Sequence, residues 1–146
     1  MQAPLFKVIE ILTVRNGASP IATHAYDANG NRASVSYDNG LVERYEYNRA
    51  NLLTKLVNQK GSTVLSQYDY SYRLDGNIVS KTESGGKVVR YAYDGQNRLV
   101  SETETRSGAP YQSYAYQFDD HSNRAGLTST GQEASTVSYS YDQNNR

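Results

Sequence analysis

The sequence contains no cysteine and no tryptophan, and its 146 residues include only two phenylalanines, one methionine and three prolines. Without cysteine there is no disulfide and no thiolate metal site, and nothing about the redox compartment can be read from thiol usage. Excess charge is missing as well. Fifteen Lys and Arg balance fifteen Asp and Glu, so no basic field draws the chain toward nucleic acid. Nor is there a long apolar run. The best candidate, residues 5–14, is interrupted by Lys7 and Glu10 and falls short of the roughly 18 to 20 apolar residues that a membrane-spanning helix requires.

What the chain has in quantity is tyrosine, 14 residues in a sequence only 37% hydrophobic. A buried tyrosine removes about 150–250 Å² from water while its hydroxyl still needs water or a partner. Such a residue suits a thin, wet-edged β structure better than a thick core. The tyrosines are also periodic. An aromatic, a spacer and a second aromatic precede an acidic or amide residue and a turn, most clearly in Tyr91-Ala92-Tyr93-Asp94-Gly95-Gln96-Asn97-Arg98-Leu99. The second aromatic falls at Tyr26, Tyr47, Tyr72, Tyr93, Phe118 and Tyr141, with spacings of 21, 25, 21, 25 and 23 residues. Four residues after each comes Gly30, Asn51, Gly76, Asn97, Ser122 or Asn145, mostly types that accept the positive φ of a tight turn.

A second set of turn signals lies between the anchors: Asp38-Asn39-Gly40, Lys60-Gly61-Ser62, Ser84-Gly85-Gly86, Ser107-Gly108-Ala109 and Thr130-Gly131-Gln132. Alternating segments bounded by such turns predict an all-β chain of tandem hairpins, stacked in the manner of a solenoid. Side chains in a strand alternate between faces, so the two aromatics of each motif share a face. The repeat aromatics Tyr26, Tyr45, Tyr47, Tyr70, Tyr72, Tyr91, Tyr93, Tyr116, Phe118, Tyr139 and Tyr141 are therefore expected to form a core ladder. Two buried tyrosines at roughly 1.5–3 kcal/mol each cannot offset about 1 kcal/mol or more of backbone entropy for every residue of a hairpin. One repeat alone should not fold, and neighbour stacking must supply the difference.

The pattern of Tyr91 to Leu99, seen again in Tyr139-Ser140-Tyr141-Asp142-Gln143-Asn144-Asn145-Arg146, resembles the YD repeat of Rhs proteins, teneurins and the C components of Tc toxins. The resemblance covers about residues 20–146. It implies β-hairpins spiralling into a hollow shell, which in bacterial members encloses a C-terminal toxin, and an extracellular or cell-surface location. Family shells are far longer than this chain. Their Asp-Pro-containing self-cleavage motif has no counterpart here, because none of Pro4, Pro20 and Pro110 follows an Asp.

The first segment, residues 1–23, reads as the second half of a repeat and the rest, residues 24–146, as an array ending in a first half. Aligning Gly17 with Gly108 matches residues 8–17 to residues 99–108. Two readings stay open: a segment of a longer YD-repeat chain, or head-to-tail self-association by strand pairing. The interface in the second case would comprise Leu5, Val8, Ile9, Ile11 and Leu12 at one end and Tyr139, Tyr141 and Arg146 at the other. A different class of function, a glycan-binding module using exposed tyrosines such as Tyr91 and Tyr114, is also open. A catalytic role is not expected. Asp119-Asp120-His121 is the one compact cluster of carboxylate and imidazole, and it lacks a third ligand at a recognisable spacing. The turn carboxylates Asp27, Asp94, Asp119 and Asp142 form no Ca²⁺-binding run, and no cofactor or metal is expected.

Overall fold

The computed structural model describes residues 10–142. All regular structure among them is β, in twelve strands: β1 Glu10–Asn16, β2 Ser19–Tyr26, β3 Arg32–Tyr37, β4 Leu41–Tyr47, β5 Leu53–Lys60, β6 Thr63–Tyr72, β7 Ile78–Glu83, β8 Lys87–Tyr93, β9 Leu99–Arg106, β10 Ala109–Phe118, β11 Arg124–Gly131 and β12 Ser135–Ser138. The chain divides into two compact units, Met1–Tyr70 and Ser71–Arg146. In the first, strands β1 to β6 pair antiparallel in sequence order. In the second, β7 to β12 do the same. The expected all-β hairpin array is what forms in each unit.

Strand lengths repeat every four strands. β3 to β6 have 6, 7, 8 and 10 residues, and β7 to β10 have 6, 7, 8 and 10 again. The alternation of 21 and 25 in the tyrosine spacing is the sequence trace of this period, which places Tyr26, Tyr72 and Phe118 each 46 residues apart. The true repeat is thus a pair of unequal hairpins.

Two-residue turns join β1 to β2, β5 to β6 and β9 to β10, closed by the pairs Asn16 with Ser19, Lys60 with Thr63 and Arg106 with Ala109. Gly17, Gly61 and Ser107 occupy the first turn position with φ of 62°, 59° and 48°, as primed hairpin turns demand. Gly17 therefore corresponds to Ser107. The alignment of Gly17 with Gly108 expected from the sequence is one residue out, because sharing an Arg near a Gly does not locate the turn. In the strand that follows each turn the register skips one residue: Ile21, Leu65 or Tyr111. These bulges add local twist.

Cross-strand register sorts the side chains. In the first unit Leu12, His24, Val35, Glu43, Asn58 and Ser66 form one row, and Tyr26, Tyr37, Tyr45 and Tyr47 share its face by alternation. In the second unit the corresponding rows are Lys81, Val89, Glu104, Gln112 and Gly131, and Tyr91, Glu102, Tyr114, Ser129 and Ser135. Val35, Val89, Gln112 and Ser129 are buried, and all four lie on this tyrosine face. On the opposite face the second unit carries small and hydroxyl residues such as Thr103, Ser113 and Thr130, whereas the first carries the rows Arg44, Val57, Gln67 and Glu46, Lys55, Asp69.

The β11–β12 connection is held from below. Buried Gln112 donates through Nε2 to the Glu133 carbonyl and accepts from its N–H, both at 3.1 Å, while the Ser129 hydroxyl donates to the same carbonyl. Gly131, at φ 111°, has no room for a side chain: a Cβ would sit 2.3 Å from the Tyr111 carbonyl oxygen. At Gly126 a Cβ would meet only the flexible Gln117 side chain, at 2.9 Å. Gly131→Ala should therefore cost about 3 kcal/mol or more, and Gly126→Ala under about 1 kcal/mol, measured by chemical denaturation. Equal losses would contradict this account of the turn.

Candidate functional site

The acidic residue that follows the paired aromatics is a turn clamp. Five turns share one geometry, at residues 27–31, 48–52, 73–77, 94–98 and 119–123. In each, the first N–H donates to the fifth carbonyl and the fourth N–H to the first carbonyl, at 2.8–3.1 Å. The fourth residue has positive φ throughout: Gly30, Asn51, Gly76, Asn97 and Ser122. In four turns the first side chain completes the arrangement. Asp27 Oδ1 accepts from the N–H groups of Asn29 and Asn31, and Asn48 Oδ1 from those of Ala50 and Leu52. Asp94 Oδ1 accepts from Gln96 and Arg98, and Asp119 Oδ1 from His121 and Asn123. The second carboxylate oxygen takes the fifth side chain: Asn31 at 3.2 Å, Arg98 at 2.7 Å and Asn123 at 3.1 Å.

These bonds set the ionisation of the clamps. For Asp27, desolvation alone would raise the pKa, but the bonds from Asn31 and Asn29 outweigh it and the net shift is downward. The Arg98 backbone N–H leads the depression at Asp94. At Asp119, desolvation is again overcome, by the Asn123 side chain and backbone and the His121 N–H. Both oxygens of Asp119 thus serve the turn. Among the described residues no group of three His, Asp or Glu side chains could hold a metal ion.

Adjacent turns are stitched together along their edge. Asn29 and Asn31 both donate to Asn51 Oδ1, at 3.3 and 2.9 Å. In the second unit Arg98 donates to Ser122 Oγ at 3.0 Å and stacks 4.6 Å over the Phe118 ring. Each link runs to the positive-φ residue of the next turn.

On the tyrosine face the polar groups also pair. Tyr37 donates to one oxygen of Glu43 at 3.1 Å and Tyr45 to the other. Desolvation, then the Glu43 hydrogen bond and its charge, push the Tyr45 hydroxyl up to about 12. In the second unit Glu104 takes Arg106 at 2.6 Å and Lys87 at 3.3 Å, and Arg106 stacks 3.5 Å above Tyr111. Around the bulge at Tyr111, on the side of Thr103, Ser113 and Thr130, these residues with Thr105, Pro110 and Tyr111 line a cleft of about 320 Å³. Sequence reasoning missed this cleft, since it depends on the bulge at Tyr111.

Of the expected ladder residues, Tyr26, Tyr45, Tyr47, Tyr70, Tyr72, Tyr91, Tyr93, Tyr116 and Phe118 are half-buried, whereas Tyr139 and Tyr141 are exposed. Of the expected assembly residues, Ile11 and Leu12 are exposed on β1, and Leu5, Val8, Ile9 and Arg146 lie outside the described residues.

The RHS Repeat family pattern matches residues 26–63 and 72–109, just over half of the chain, and its two matches begin 46 residues apart. The chain belongs to the RHS repeat family. Solved structures are similar to this RHS array over a short stretch of their chains. In the crystal structure of TcdB2-TccC3, 16% identical, the match covers 85% of the RHS array and 7% of the other chain at a TM-score of 0.72. For TcdB2-TccC3 without its hypervariable C-terminal region the values are 17%, 86%, 6% and 0.72. For the Photorhabdus luminescens Tc holotoxin pore they are 15%, 88%, 8% and 0.70. The array thus spans under a tenth of those chains and shares their fold. A comparison with curated proteins found no match.

The clamps give the array a defined pH window. Because the aspartates have depressed folded pKa values, their stabilisation is complete above their unfolded pKa and is lost as pH falls through the folded values. Raised tyrosine pKa values act oppositely: their contribution is complete below the unfolded tyrosine pKa and disappears as pH rises through the folded one. Thermal midpoints should therefore be flat between roughly pH 5 and 10 and fall on either side. Asp94→Asn keeps the Oδ1 acceptor and should make the acid limb shallower. Asn48→Ala, which removes two acceptor contacts, should cost about 1–2 kcal/mol at neutral pH.

Proposed function

We propose that this chain is a non-catalytic length of wall: a scaffold whose purpose is served by its surface and its continuity, placed outside the cell or on its surface as a segment of an encapsulating shell. The observation that carries this reading is the apolar open edge. On β1, paired only with β2 among the described residues, Ile11 is 67%, Leu12 54% and Val14 41% exposed. An edge of that kind invites a further strand. The rest of a longer YD-repeat chain would supply it in a shell, and a second copy would supply it in a head-to-tail assembly by strand addition. The family membership and the fold shared with toxin-complex structures support the wall role.

The two sources of the strand separate experimentally. Sedimentation velocity and negative-stain microscopy of the purified chain should show concentration-dependent elongated species, and Ile11→Lys with Leu12→Lys should disperse them. A wild-type chain that stays monomeric across the accessible range would remove self-pairing and leave the longer chain as the source. Hydrolytic turnover that co-purifies with the chain would sink the non-catalytic reading.

A further inference from the structure

One of the five clamped turns is built differently. At residues 73–77 the sequence is Arg73-Leu74-Asp75-Gly76-Asn77. The backbone bonds remain, Arg73 N–H to the Asn77 carbonyl at 2.8 Å and Gly76 N–H to the Arg73 carbonyl at 3.1 Å, and Gly76 keeps positive φ at 90°. The first position, however, holds arginine, which has donors and no acceptor. It cannot take the two turn N–H groups that Asp27, Asn48, Asp94 and Asp119 take. In its place Asp75 Oδ1 accepts from Asn77 alone, at 3.1 Å, and Arg73 pairs with Asp75 at 3.1 Å across a solvent-exposed gap, a contact of small value. Leu74 at the tip is 110% exposed. No other turn of this set presents an aliphatic side chain larger than alanine at that position, the others having Ala28, Arg49, Gly95 and Asp120.

A hairpin turn resists endopeptidases because the substrate must open into an extended segment, so cleavage follows the population of the locally opened form. Removing the side-chain clamp raises that population. We propose that the Arg73–Leu74 bond is a site of proteolytic processing. The enzyme class is an endopeptidase selective for arginine before, or a large apolar residue after, the scissile bond. Water adds to the Arg73 carbonyl carbon and the C–N bond breaks. Arg73 is left as a carboxylate and Leu74 as an α-amine that takes up the proton.

Limited digestion read by intact-mass spectrometry tests this on the folded chain. Trypsin cuts after Arg and Lys, and thermolysin cuts before large apolar residues, so both address the same bond. The first cut within residues 16–142 should fall at 73–74 with either enzyme. Arg73→Asp restores the clamp and leaves Leu74 in place, so thermolysin cleavage there should slow by about tenfold or more. Arg49, exposed in the clamped turn at 48–52, is the internal control: Asn48→Ala should open the Arg49–Ala50 bond to trypsin. The proposal is overturned by a first internal cut elsewhere, or by unchanged thermolysin cleavage in Arg73→Asp. It is equally overturned if Arg49 stays as protected in Asn48→Ala as in the wild type. Arg73→Asp adds acceptors to the turn, so its result does not depend on a weakened fold.

Discussion

A single carboxylate or amide oxygen that accepts two turn N–H groups is the contact on which the array depends. An open sheet with one well-filled face has few fully buried side chains: among the hydrophobic residues described, only Val35 and Val89 are buried. Packing alone cannot hold such a sheet in one register, because a slip by one residue would exchange the faces. The clamp answers this at the turns. In four of the five turns it braces the five-residue loop and the positive φ of its fourth residue. That delivers the next strand with its tyrosines on the same side as the last.

The same economy explains the tyrosines. Phenylalanine in place of Tyr37 and Tyr45 would leave Glu43 without its hydroxyl partners. Tyrosine fills the face with ring area and satisfies charges that would otherwise be stranded beside it. Arginine stacking over Phe118, Tyr111 and Tyr116 extends the ring area with side chains whose charged ends stay wet.

Much of this was legible in the sequence. The second aromatic and the fourth residue after it locate five turns correctly, since the steric demand for positive φ restricts the residue types that can stand there. The pairing of aromatics on one face followed from alternation alone. The bulges at Ile21, Leu65 and Tyr111 were not legible, because no residue type marks an extra residue in a strand; they emerge only when two strands are laid side by side. For that reason the cleft beside Tyr111 went unseen and the alignment of Gly17 was displaced by one. The Gln112 contacts with Glu133 join residues 21 apart, and no local pattern announces such a contact.

The unequal hairpins carry a consequence for how such a chain can lengthen. Duplicating the β5–β6 hairpin alone would set an eight-residue strand where a six-residue neighbour stands and would shift the order of two-residue turns and longer loops. Inserting four strands would restore every neighbour. Duplication in steps of 46 residues is thus the neutral way to grow. A wall built on this plan gains length in whole bricks, each a pair of hairpins.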